Sequence, residues 1–349
     1  MNHPPNGAGS IPLQDPQSLR NIKEDRPTSI PVPLKQSPLT MLTPDSKSLF
    51  DLEADTTFLN HGGYGVTPSK VRETRAGKLK ELEANPTRFL THDFSQAWHA
   101  IAMSIAERFS VRKEDISLVE NVTDGVNAVS RSFPLTAGDE ILTTSLVCGS
   151  VRQAAIYIAS WHGAQIAVAP LRFSNPDPQK CIHAVEKAIT RRTKLAILDH
   201  ITSRTALVLP VAEMARAWRD RGVAVLVDGA HVPGEVAFDL KAIGADWYVA
   251  DLRKWYSVPR GCGFLWAAPQ RQAGLVPAIL SSHASRRFPG SFEWAGTRDP
   301  TPWLSIPESF DFMDCLGEDA VRAHNHSLIR DAMALLANAW KVNIGTRIR

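Results

Sequence analysis

Cysteine is scarce: four residues in 349, at positions 148, 181, 262 and 315, and none forms a C-x-x-C pair. That spacing argues against a disulfide framework or a structural metal site and fits a reducing cytoplasm. Long apolar runs are missing too. The longest are short, such as Val223-Ala224-Val225-Leu226-Val227, far below the ~20 residues of a membrane span. The N-terminus lacks the apolar core of a secretory signal. Nor is there an excess of one charge: 39 Lys+Arg stand against 36 Asp+Glu, a net of +3. No basic field therefore points to nucleic acid. There is no internal repeat. What remains, 44% hydrophobic and 21% charged residues, is the balance of a folded soluble protein with one large domain or two.

Residues 1–44 stand apart, with nine of the 24 prolines and no aromatic residue. Such a segment cannot bury enough apolar surface to offset its ordering entropy. It reads as a disordered tail, a processed targeting peptide being the alternative. Further on, Thr67-Pro68 has the form of an N-cap with proline in the first helical position, and Asn85-Pro86 predicts where that helix stops. Phe94, Ala97, Trp98, Ile101, Ile105 and Phe109 recur at helical spacing. After them, strand-like runs ending at Glu120, Thr144, Ala169, Asp199, Asp228 and Ala250 alternate with helical segments, and Gly263–Trp266 reads as a further strand. That alternation implies mostly parallel strands with crossover helices, an α/β layered domain. Residues 320–340 read as a long final helix.

Ligands of such sheets gather at the carboxyl ends of the strands. Asp228 ends the most apolar strand. A carboxylate there is poorly solvated and needs a cationic partner, unless it merely starts a turn. Gly229-Ala230-His231 follows, small enough for backbone to pass close to a ligand. Lys254 comes a short loop after Trp247–Ala250, between Arg253 and Trp255. In an apolar pocket it is a nucleophilic amine of depressed pKa; at the surface it is an ordinary lysine. A lysine and a carboxylate, each after its own strand, suggest the parts of a pyridoxal phosphate site. Thr123, Asp124 and Gly125 open the helix after Glu120 and place backbone N–H groups where a phosphate binds, although the same residues serve as plain caps. Asp124 would oppose a phosphate unless it points away. Gly296-Thr297-Arg298-Asp299 is a second anion contact or a turn.

These segments, with Phe58-Leu59-Asn60-His61-Gly62-Gly63-Tyr64-Gly65, Asp199-His200-Ile201-Thr202-Ser203 and Phe292-Glu293-Trp294-Ala295, run in order over about residues 50 to 330. Together the chain resembles the class V aminotransferase family of fold-type I pyridoxal phosphate enzymes, in particular its isopenicillin N epimerase-like subgroup. The resemblance implies a three-layer α/β large domain over 45–316, with a central mostly parallel sheet, and the start of a truncated small C-terminal domain over 317–349. It implies Lys254 as the Schiff-base lysine and Asp228 on the pyridine nitrogen. His231 is placed beside the ring hydroxyl; a satisfied core histidine is the alternative. Thr123, Gly125, Arg253 and Thr202 join the cofactor contacts, and Thr297 reaches the phosphate of a neighbouring subunit, since the family builds shared sites in a homodimer. Asn60, His61 and Tyr64 line the substrate entrance.

Three departures accompany the match. Cys148 stands where the family offers a ring-stacking aromatic or histidine, Arg253 where it has histidine, and Asp251 where it has a neutral polar residue. An acid there is unfavourable near a phosphate unless Arg253 pairs with it. The arginine that binds the substrate carboxylate belongs to the family's small domain; here Arg298 is the favoured substitute over Arg347 and Arg349. The exposed side of the final helix, with Leu328, Met333, Leu336 and Trp340, is expected to lack cover. The implied activity is epimerase-like chemistry on an amino acid or amine, with a carbon–sulfur lyase or desulfurase as alternative, the latter with Cys315 as its thiol. A non-catalytic member of the family is the other reading. No metal, nucleic acid or membrane partner is expected.

Overall fold

The computed structural model describes residues 46–172 and 177–342. The proline-rich segment 1–44 and the arginines 347 and 349 lie outside them. Helix α1 spans Ser69–Ala84. It starts later than the Thr67-Pro68 pair predicts, because Pro68 is itself the N-cap, extended at ψ 149°. Asn85-Pro86 interrupts the helix without ending the helical run. Asn85 swings out to φ −158° and its Oδ1 accepts from the Arg88 N–H at 3.0 Å, while Pro86 takes the first position of a new turn. The chain then passes through a wide turn at Phe89–Asp93 into α2, Phe94–Arg108.

The layered part follows: β1 (Ile116–Val119), α3 (Val122–Ser132), β2 (Glu140–Thr144), α4 (Gly149–His162), β3 (Gln165–Ala169), α5 (Pro178–Ala188), β4 (Thr193–Asp199), α6 (Val211–Arg219), β5 (Ala224–Asp228), β6 (Trp247–Asp251) and β7 (Gly263–Ala267). The seven strands form one sheet in the order β1-β7-β6-β5-β4-β2-β3. Neighbours from β6 through β5, β4 and β2 to β3 are parallel. β7 is antiparallel to both β6 and β1. The physical reason lies in the β6–β7 connection, which carries no crossover helix, and a parallel return needs one.

Alternation along the strands assigns the two faces. Ala196 and Leu198 of β4, Val225 and Val227 of β5, and Tyr248 and Ala250 of β6 join the core built with α2, α5 and α6. Leu195, Ile197, Leu226, Trp247 and Val249 join a second core with α3 and α4. The result is three layers, helices on both faces of a buried sheet. The same count carries the last residue of each central strand, Asp199, Asp228 and Asp251, onto the α3/α4 face. α7 (Ile306–Leu316) and α8 (Glu318–Trp340) follow, separated by Gly317 at φ +78°. No residue of α8 is buried, and Leu328, Leu336 and Trp340 are exposed along it. No helix among the described residues is long and apolar enough to cross a membrane.

Gly125 sets how closely α3 approaches the sheet. A Cβ there would lie 2.4 Å from Cγ1 of Val249 on β6. Gly125→Ala is therefore expected to cost about 1–3 kcal/mol through overpacking, and pairing it with Val249→Ala should recover part of the loss because the two sites share one space. Thermal unfolding of the single and double variants checks this; purely additive losses would show that α3 does not depend on that gap.

Candidate active site

The loop after β6 is built to hold Lys254 still. The Leu252 N–H donates to the Cys262 carbonyl at 3.0 Å and the Ser257 N–H to the Lys254 carbonyl at 3.1 Å. A distant segment clasps the same loop. His61 Nε2 donates to the Lys254 carbonyl at 2.8 Å, which fixes the ring tautomer, and burial holds that imidazole below its usual pKa. Arg253 Nη1 donates to the Gly63 carbonyl at 3.0 Å. Gly65, at φ +71°, comes so close that a Cβ would overlap the Arg253 carbonyl oxygen; glycine is required there on both counts.

Lys254 is 5% exposed. Its Nζ lies 2.9 Å from His231 Nε2 and 3.8 Å from Asp251 Oδ2. Burial lowers its pKa; Asp251 raises it, Arg253 lowers it and Asp228 raises it. His231 is pushed down to about 3, by burial first and then by the charges of Lys254 and Arg253. Its Nε2 is thus an acceptor for the lysine N–H. The unexpected acid, Asp251, is fully used. Its Oδ2 pairs with Arg253 Nη2 at 2.9 Å, and its Oδ1 accepts the first N–H of α3, from Val122, at 3.0 Å. It braces the lysine loop against the helix instead of facing a ligand.

Asp228 is 4% exposed at the end of β5. Its Oδ1 accepts from the Ala230 N–H at 2.9 Å, and Oδ2 accepts no protein hydrogen bond among the described residues. Burial raises its pKa, the Ala230 N–H lowers it, Asp251 raises it and Lys254 lowers it. On the other face of the sheet, the fully buried Tyr248 places its hydroxyl 3.0 Å from His200 Nδ1, and its ring lies so close to Gly229 that no Cβ fits there.

Lys254, His231, Arg253, Asp228 and His61 thus come together in one cluster. The other candidates divide. At the α3 N-terminus, Asn121 Oδ1 accepts the Asp124 N–H at 3.0 Å and the Asn121 carbonyl accepts the Gly125 N–H at 3.2 Å. Of the three donors read from the sequence, Thr123 alone keeps its N–H open, as a first-turn donor with no intrahelical partner. Asp124 turns back, its Oδ2 accepting from the Glu120 N–H. Thr202 is occupied within its own turn, where its hydroxyl bonds Thr205 at 2.6 Å and accepts from the Leu207 N–H at 2.9 Å. Thr297 is exposed on the Gly296 turn and makes no hydrogen bond to the cluster. Arg298 lies 4.2 Å over the Trp303 ring and pairs with Glu120 at 3.0 Å, so its guanidinium is already engaged. Asn60 and Tyr64 are exposed. Cys315 is exposed on α7, near Lys70 of α1; Cys148 occupies the N-cap position of α4, with no side-chain cap hydrogen bond, near Lys254.

Sequence reasoning passed over one residue, Asp199. It is 1% exposed at the end of β4, directly beside Asp228 in register. The signal was available: Asp199 closes an apolar strand in the same way as Asp228. A phosphorylated pyridine aldehyde fits this donor set. The cluster offers a desolvated amine, a buried carboxylate with an open oxygen, and an open N–H at a helix start.

The aminotransferase class-V family model matches residues 58–347. The isopenicillin N epimerase of Streptomyces clavuligerus is 34% identical over 82% of this chain and 76% of its own length. The L-cysteine desulfhydrase of Arabidopsis thaliana is 28% identical over 82% of this chain and 67% of its own. Of two rice relatives the chain spans 65% and 64% of the length. Among solved structures, the cystine C-S lyase C-DES in complex with its product cysteine persulfide superposes with a TM-score of 0.67 at 23% identity, over 75% of this chain and 72% of that one; this likeness is one of fold. The chain belongs to the class-V aminotransferase family of pyridoxal phosphate-dependent enzymes.

Proposed function

We propose that this enzyme removes and returns a proton at Cα of an amino acid or amine, in an epimerase-like reaction, with Lys254 as both covalent anchor and base. The observation that carries the reading is the placement of the Lys254 amine at 5% exposure, 2.9 Å from His231 Nε2. Bound pyridoxal phosphate supplies the electron sink for charge developing at Cα. Lys254 supplies the base: burial favours its neutral form, and a neutral amine has a lone pair for a proton. His231, itself neutral, accepts one lysine N–H and so turns that lone pair away from the imidazole. Asp228, with Oδ1 on the Ala230 N–H, would hold the pyridine nitrogen. The Thr123 N–H and the start of α3 take the phosphate, with Arg253 adding charge nearby. His61 fixes the lysine backbone instead of touching substrate. Thr297, exposed on its turn, is free to reach a second copy, which supports a homodimer with shared sites. The cysteine pattern supports a cytoplasmic location.

A carbon–sulfur lyase is the second reading, favoured by the desulfhydrase relatives. It starts from the same Cα proton and the same residues. A thiol-dependent desulfurase has less support, since Cys315 sits beside α1 and not beside Lys254.

Two sets of measurements test the reading. Borohydride reduction of the cofactor-loaded protein should fix a pyridoxyl group on Lys254, and Lys254→Ala should lose that attachment and lower Cα hydrogen–deuterium exchange by about 10²–10⁴-fold. Asp228→Asn should keep the attachment and slow the exchange. Exchange with inversion between L and D forms supports the epimerase reading; sulfide release from cysteine without inversion supports the lyase; label on another lysine defeats both.

The second test is acid stability. His200 and His231 are held down to about 4 and about 3 by burial, below the ordinary histidine value near 6.5. Depressed histidines stabilise the fold above pH 6.5, and that contribution is lost as pH falls toward their folded values. The wild-type Tm should therefore drop between pH 6.5 and 4, and less steeply in His231→Gln. Parallel curves would mean that His231 takes no part in acid unfolding.

A further inference from the structure

Asp199 has no part in the chemistry above, yet it occupies one of the driest places in the site. It ends β4 as Asp228 ends β5, and the two are register partners on strands about 4.8 Å apart, with side chains on the same face. Asp199 Oδ1 accepts from the Cys148 N–H at 3.2 Å. Its Oδ2 is buried without any hydrogen-bond partner, a costly state for a carboxylate oxygen. Two adjacent carboxyls in such a place cannot both ionise.

The surroundings decide which of them keeps the proton. Asp228 faces Lys254, whose charge favours its anion whenever the amine is protonated, and the Ala230 N–H, which favours it throughout, against Asp251 on β6. Asp199 faces Asp228 on β5 and the Cys148 cap of α4, with no cation among the charges acting on it, and burial together with Asp228 raises its pKa. The nearby Arg253 is committed to Asp251. His231 is bonded to Lys254, and His200 to Tyr248.

We infer that Asp199 is a positioning residue that carries the single proton of a carboxyl pair with Asp228, donating it from Oδ2 toward the Asp228 carboxylate while Oδ1 holds the Cys148 backbone. The pair keeps Asp228 anionic and fixed in direction, and ties the start of α4 to the floor of the site. The consequence for cofactor binding rests on the proposed pyridoxal phosphate reading; the proton assignment does not.

The experiment compares wild type, Asp199→Asn and Asp199→Ala as full-length chains. Asparagine keeps both hydrogen bonds, its amide donating and its carbonyl accepting, but has no proton to lose. Tm is measured from pH 5 to 8 with no cofactor added. An acid whose folded pKa is raised stabilises the fold at low pH and gives that stability up as pH rises through its folded value. The wild-type Tm should therefore fall across this window relative to Asp199→Asn. Pyridoxal phosphate affinity, measured by quenching of tryptophan fluorescence, should be close to wild type in Asp199→Asn and about ten- to a hundredfold weaker in Asp199→Ala. Parallel Tm curves for wild type and Asp199→Asn, or an Asp199→Asn variant that binds as weakly as Asp199→Ala, would overturn the inference. A wild type that takes up no pyridoxal phosphate would defeat the proposed function, while the Tm comparison still decides the carboxyl pair.

Discussion

The site depends on the desolvation of one ammonium group. Lys254 can be buried because Asp251 and Asp228 lie close enough to offset part of the cost, and its pKa stays lowered because they do not offset all of it. Had Asp251 been free to pair with Lys254 alone, the amine would be locked as a cation. It is held off at 3.8 Å because Arg253 and the Val122 N–H take its two oxygens. One carboxylate thereby restrains the loop, caps the helix that opens beside it, and leaves the lysine's charge state in balance.

The sheet makes this possible through its period of two. Because β4, β5 and β6 are parallel neighbours whose odd and even residues divide between two cores, three acids at their carboxyl ends fall on one face. Lys254 and Arg253 are the cations of the cluster that answer them. An arrangement with more buried acids than cations needs a proton or a ligand to complete it, and a cationic pyridine nitrogen is such a ligand. Family membership and the electrostatics of the strand ends therefore lead to the same chemistry by separate routes.

Much of this was legible in the sequence. The alternation of strands and helices, the strand-ending Asp228 and the loop-borne Lys254 follow from local pattern and the strand-end rule, and the pairing of Asp251 with Arg253 follows from charge alone. What was not legible depends on contacts remote in sequence. Arg298 reads as an open anion contact until Trp303 and Glu120 are seen to occupy it. Thr202 reads as a ligand until the hydroxyl of Thr205 and the Leu207 N–H are found on it. Asn85-Pro86 reads as a stop because the rule for the residue before proline is local, whereas the Asn85 side chain that restarts the helix acts three residues on.

The N-terminal strap shows the same lesson in the other direction. In the sequence, Asn60, His61 and Tyr64 are expected by resemblance to line a substrate entrance, and the glycines among them carry no assigned role. Each glycine instead meets a defined neighbour: Gly62 lies against the Trp255 ring, Gly63 gives its carbonyl to Arg253, and Gly65 passes over the Arg253 carbonyl where no side chain fits. His61 completes the clasp by holding the carbonyl of the lysine itself. A segment nearly two hundred residues away in sequence thus fixes the backbone from which the Lys254 amine extends. At Gly65 the approach to the Arg253 carbonyl is one that only glycine permits, which is how the strap lies against the lysine loop.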